Sequence, residues 1–220
     1  MPRVKLARKS TDTDMTPFVD IAFLILSFFI MATKFKPPEA VEIKTPASVL
    51  SQKLPESNAV LISIDSINRV FFTVLSEKDR DKYDQIINSI NTSQNLGLTD
   101  KEKMMFRKTY MTGVPFSGLK QLLDTDPNDQ PKLKQPGIPV MDSTNNQLIW
   151  WIKASKDAFA GGRLKFLIKG DNGSKYPAFE AVINALRKNE EFKYNLVTSL
   201  EGVPKGSELE KYQKQQAAKK

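Results

Sequence analysis

One carboxylate, Asp20, lies inside a run that is otherwise apolar except for Ser27 and Thr33: FVDIAFLILSFFIMAT, residues 18–33. An ionised carboxylate within a membrane span costs about 2.5–3.5 kcal/mol even on a lenient insertion scale. Such a group faces water or a protein interior, or it takes up a proton and becomes neutral. If it alternates between the two states it can carry protons. If it does not, it is a helix cap or a static bond to a neighbouring helix, and the residues alone leave both readings open. Other chemistry is scarce. With His 0 and Cys 0, the chain cannot build a Cys/His zinc site, an iron–sulfur centre, a Ser-His-Asp triad or a Cys nucleophile. Asp124, Asp126 and Asn128 have the opening spacing of a calcium loop, but Asp129 stands at its glycine position and Gln135 at its bidentate acid. No catalytic residue, metal or cofactor is assigned.

The element that positions Asp20 is a helix. Helical spacing sets Thr16, Asp20, Ser27 and, more loosely, Met31 on one stripe, with Ile25, Phe28 and Phe29 pointing elsewhere. A single helix cannot shield that stripe, so it implies a packed partner. Residues 15–35 extend roughly 31 Å at about 1.5 Å per residue, enough to span a hydrocarbon core. Thr16 or Asp14 can cap this helix, and Pro17 suits its first turn. Lys34 and Lys36 can snorkel at the far end, where Pro37 and Pro38 prevent continuation. A cleaved signal peptide fits less well, because the run contains Asp20 and lacks a small-residue exit. A buried soluble helix fits the basic and proline flanks less well. Arg3, Lys5, Arg8 and Lys9 place residues 1–14 in the cytoplasm and the remainder across the membrane.

Beyond the helix, residues 36–57 read as a linker with one short strand, Val41-Glu42-Ile43-Lys44, stopped by Pro46. An isolated strand this short needs a sheet edge from a dimer mate, its own domain or a partner protein. Val41, Ile43 and Pro46 are therefore either a partner-binding strand whose docking can report or restrain helix movement, or part of an inert spacer. Residues 58–204 predict a small α+β domain of ββαβαβ type. Its strands are expected near 59–64, 70–74, 164–169 and 194–200, and its helices over 145–160 and 176–189. Residues 76–144 interrupt it as a largely helical insertion with helices near 78–90, 99–110 and 116–123, which either binds a partner or enlarges the core. Residues 205–220 are a polar tail. The net charge of +8 suits an anionic polymer or an ordinary solvated surface.

The stretch Asp14-Met15-Thr16-Pro17-Phe18-Val19-Asp20-Ile21-Ala22-Phe23-Leu24 resembles the start of the ExbD/TolR family of biopolymer-transport proteins. There a Thr-Pro-hydrophobic-hydrophobic-Asp motif opens the only transmembrane helix, and its Asp, matched by Asp20, carries the proton. The family often has Asn where this chain has Asp14. Residues 41–48 are similar to the strand and Pro-Ala-Ser that follow the helix in ExbD, whereas the 76–144 insertion is far longer than typical. The resemblance implies an inner-membrane protein with a periplasmic domain, dimeric within a ring of ExbB/TolQ-like partners. It also implies coupling of proton flow to a TonB-like or Tol-type partner, without nucleic acid. The alternative is a static single-pass anchor carrying a peptidoglycan-binding or scaffolding domain.

Overall fold

The computed structural model describes residues 15–32, 41–48, 55, 58–76, 80–142, 144–162 and 164–200. The chain divides into two units, residues 1–37 and 38–220. In the first, α1 runs from Thr16 to Ala32. Its 17 residues have no buried member, and Phe18, Phe23, Phe28 and Met31 are all exposed. At about 1.5 Å per residue α1 is roughly 26 Å long. No helix among the described residues is long and apolar enough to cross a membrane; residues 33–35 of the expected span lie outside them, as do 1–14 and 205–220.

The second unit is the expected mixed α+β domain. β2 (Ala59–Ile64) and β3 (Val70–Leu75) form an antiparallel hairpin with Ala59 opposite Leu75 and Ile64 opposite Val70. Asp65 builds the turn: its carboxylate accepts from the Ile67 and Arg69 backbone N–H groups at 3.1 and 2.7 Å, and from Arg69 Nε at 2.7 Å. Asn68 takes the left-handed conformation (φ 67°) that a tight turn requires and that Asn tolerates. β4 (Lys165–Gly170) then joins β2 in parallel, and β5 (Tyr194–Val197) joins β4 in parallel, for the order β3-β2-β4-β5.

One face of this sheet presents Val60, Ile62, Ile64, Val70, Phe72, Val74, Phe166 and Ile168 to the helices. α5 (Leu148–Ala158) and α6 (Tyr176–Lys188) lie near their expected positions, and so do α2 (Arg80–Gln94), α3 (Asp100–Phe106) and α4 (Phe116–Asp124) of the insertion. The insertion enlarges the core. Ile86, Ile87, Ile90, Phe106, Leu119 and Leu122 belong to the same buried cluster as the sheet, and Lys82 Nζ closes the end of α5 on the Ala158 carbonyl at 2.6 Å. Residues 112 and 138 also cover the outer edge of β3: Phe72 and Thr112 exchange hydrogen bonds at 2.8 Å each, and Ile138 N–H donates to Val70 at 2.8 Å. A bare edge is a template for unwanted pairing, and this one is closed. Gly113 is required there, because a Cβ would stand 2.1 Å from Phe71 Cδ1.

Two expected strands are corrected. Residues 41–44 form no ladder; the strand of that segment is β1, Ala47–Ser48, parallel to β6, Ser199–Leu200. The expected strand 194–200 divides at Thr198 into β5 and β6, which serve different sheets. Alternation fixes which side chains turn inward, not which edge receives the backbone.

Candidate functional site

Two places hold the residues singled out above: the polar stripe of α1, and the docked segment 41–48. In α1 the Phe18 and Val19 N–H groups both donate to Met15 O at 3.1 Å, so the helix opens on Met15. Thr16 is its first residue, not its cap, which corrects one expectation; Asp14 lies outside the described residues. Pro17 sits in the first turn, where a missing N–H leaves no helical bond unmade.

Asp20 is the only ionisable side chain in α1. Thr16 is one turn before it, about 6 Å along the axis, and Ser27 two turns after it, about 10 Å. No direct bond between Asp20 and Ser27 can bridge that rise. Water or a neighbouring helix must link them if they share a path. Ser27 Oγ donates to the Leu24 carbonyl at 2.9 Å, so its lone pairs are what it can offer a proton path. Phe23, three residues after Asp20 and four before Ser27, falls on the same stripe; helical spacing predicts this, but an aromatic in an apolar run gives no signal of its own.

Residues 41–48 are held by their own domain. Val41 is half-buried and Ile43 is buried, so the alternation does turn these side chains inward. The backbone between them and Pro46 is met by the turn at residues 171–172 and by Ser199 of β6. Asp171 Oδ2 accepts the Lys44 N–H at 2.7 Å, and the Asn172 N–H donates to the Lys44 carbonyl at 2.9 Å. The Ser199 N–H donates to Pro46 O at 2.9 Å, Ser199 Oγ donates to Thr45 O at 3.2 Å, and the Thr45 and Ser199 hydroxyls touch. In the sequence Asp171 sits in a Gly-Asp-Asn-Gly-Ser turn, and its bond to a residue 127 positions away leaves no local signal.

The Gly173 N–H, and after it the Lys44 N–H, hold the Asp171 carboxyl below the usual carboxylate range. A carboxylate whose folded pKa is depressed stabilises the docked state above its unfolded value and loses that contribution as pH falls through the folded one. The Lys44 amide resonance is therefore expected to move as pH drops below the ordinary value of 3.8. A Lys44 resonance unmoved across an acid NMR titration contradicts Asp171 as its acceptor.

An open cleft of about 350 Å³ lies elsewhere, lined by Val140, Met141, Asn184 and Arg187 among others. None of the residues singled out from the sequence lines it. A family model described as biopolymer transport protein ExbD/TolR matches residues 7–201. No curated protein and no solved structure matches the chain.

Proposed function

This chain belongs to the ExbD/TolR family of biopolymer transport proteins, and from that premise we propose that it is the proton-carrying subunit of a proton-motive-force-driven inner-membrane motor. Membership supports a role in a TonB- or Tol-type energy-coupling system, and members are in general inner-membrane proteins that associate with ExbB/TolQ-type partners. On the proposed reading residues 15–35 form the span, with residues 1–14 cytoplasmic and the α+β domain periplasmic. Two copies sit within the ring of an ExbB/TolQ-like partner, and Asp20 takes and releases the proton that moves the domain engaging a TonB-like or Tol-type partner. The observation that carries this reading is Asp20 itself, the single ionisable group on an otherwise apolar helix with no buried side chain. Such a helix needs cover from lipid or protein on every side. Its one carboxyl needs a wet or protein-lined path.

The test is isolation of the full chain from its native membranes in mild detergent. A complex containing a multi-span ring protein is expected. Recovery of the chain without one favours the static anchor.

Within that complex Thr16 and Ser27 support Asp20 but cannot titrate in this range. Thr16→Ala and Ser27→Ala are each expected to lower energy-dependent transport by roughly 2- to 10-fold, the factor carried by one lost hydrogen bond of about 1 kcal/mol. Site-directed cross-linking at positions 20 and 27 should capture protein neighbours. Labelling by lipid alone at both positions contradicts the stripe.

A further inference from the structure

The open cleft beside α6 belongs to neither of the two places described above, and the insertion builds half of it. One wall is a row of α6 in which Ala181, Asn184 and Lys188 recur at i, i+3 and i+7, with Arg187 next to the last. The other is Val140 and Met141, near the close of the 76–144 insertion. Asn146 fixes the spacing of the walls: its Nδ2 donates to the Ala181 carbonyl at 3.1 Å while its Oδ1 accepts the Leu148 N–H at 3.1 Å. Val140 belongs to the buried core cluster and Ala181 packs against it, so both walls are anchored. A volume of about 350 Å³ lies within the range of preformed ligand sites. The charges described along it are cations alone. Arg69 and Arg107 each meet an aspartate, whereas the Arg187 guanidinium and the Asn184 side-chain amide have no partner among the described residues. Cations in the last turn of a helix complement its dipole. That accounts for Arg187 and Lys188, but not for the apolar wall facing them or for Met141, 62% exposed at the mouth.

We propose that this cleft docks a peptide segment of a partner protein that carries a carboxylate side chain between apolar ones. The Arg187 guanidinium offers the carboxylate a planar, two-pronged donor, and the Asn184 amide adds a further N–H. Val140, Ala181 and Met141 take the apolar neighbours; Arg and Met are among the residue types enriched where proteins meet. Because the cleft is open, a chain can lie across it, where a small acid would stay half in water. The net charge of +8 favours the approach of an acidic partner over one of like charge. The insertion then has two roles, enlarging the core and supplying one wall of the site. The inference is independent of Asp20 and of any proton it carries.

The test is an NMR titration of the full chain in lipid nanodiscs, methyl-labelled at methionine, with the blocked peptide acetyl-Leu-Glu-Leu-amide. The Met141 methyl and Ala181 amide resonances should shift saturably, reaching their plateau by about 10 mM peptide for a millimolar dissociation constant. The glutamine counterpart of the peptide, and the Arg187→Gln chain with the original peptide, should each bind about tenfold more weakly through loss of the charge-assisted pair. Arg187 and Asn184 are both exposed, so substitution at either should leave the fold intact. Asn184→Leu fills the cleft with Arg187 still in place and should block the peptide. No shift at the two resonances, equal binding of the glutamate and glutamine peptides, or unchanged binding by Asn184→Leu overturns the site. Acetate binding as tightly as the peptide overturns the peptide reading in favour of a bare anion site. Shifts from soluble peptidoglycan fragments, with none from the peptide, overturn the protein partner in favour of a polymer.

Discussion

Trp151→Ala is expected to leave the outer domain unfolded or marginal. The Trp151 side chain is 0% exposed and lies at the junction of sheet and insertion. Its ring centroid is 5.0 Å from that of Phe72 on β3, 5.8 Å from Phe106 on α3 and 5.9 Å from Phe116 on α4. Truncation removes the transfer energy of the indole and leaves a cavity that three elements cannot collapse at once, a loss of about 3–5 kcal/mol. Domains of this kind have about 5–15 kcal/mol in all. Trp151→Phe should cost much less, because most of the apolar area remains and the indole N–H has no hydrogen-bond partner among the described residues to lose. Chemical denaturation followed by far-ultraviolet circular dichroism checks both variants. A midpoint for Trp151→Ala equal to that of the wild type contradicts the placement of the insertion in the core.

That placement explains which parts of the fold were legible in the residues. The insertion helices are amphipathic, so their periodicity gave their positions to within a few residues. Thr99 additionally carries a capping box with Glu102, which accepts the Thr99 N–H at 2.5 Å. The pair Trp150-Trp151 resolves as helical geometry requires: Trp151 enters the core, and Trp150 is 39% exposed beside Lys153. β4 alternates only partly because it is covered on both faces, with Phe166, Leu167 and Ile168 all buried. What the residues could not give is long-range pairing. Val41 and Ile43 announce a buried side, yet the partners of the backbone beside them lie more than a hundred residues away, Asp171 and Asn172 in a turn and Ser199 in β6. Asp20 was legible for the opposite reason, since a carboxylate in an apolar helix is anomalous without reference to any partner.

Asp20→Asn should leave the protein folded and assembled and abolish energy-dependent transport. The substitution keeps the size and a polar group able to hydrogen-bond, and removes the charge and the titration. Insertion becomes easier, not harder, because the charged form no longer has to be accommodated. The functional loss is set by the driving force: one proton falling through the membrane potential releases about 2.3 kcal/mol per 100 mV, and a side chain that cannot change charge harvests none of it. Transport measured in cells expressing the variant at wild-type level, with assembly checked by co-isolation, should fall to the background of a deletion strain. Retained transport would favour the static anchor.

Transport has many downstream steps, whereas proton flow through the complex has one. The most direct measurement is therefore proton flux into vesicles reconstituted with the full chain and its ring-forming partner, under an imposed potential. The wild-type complex is predicted to acidify the vesicle interior at a rate that rises with potential, and the Asp20→Asn complex to match protein-free vesicles. Equal flux through the two complexes contradicts the claim that Asp20 carries the proton.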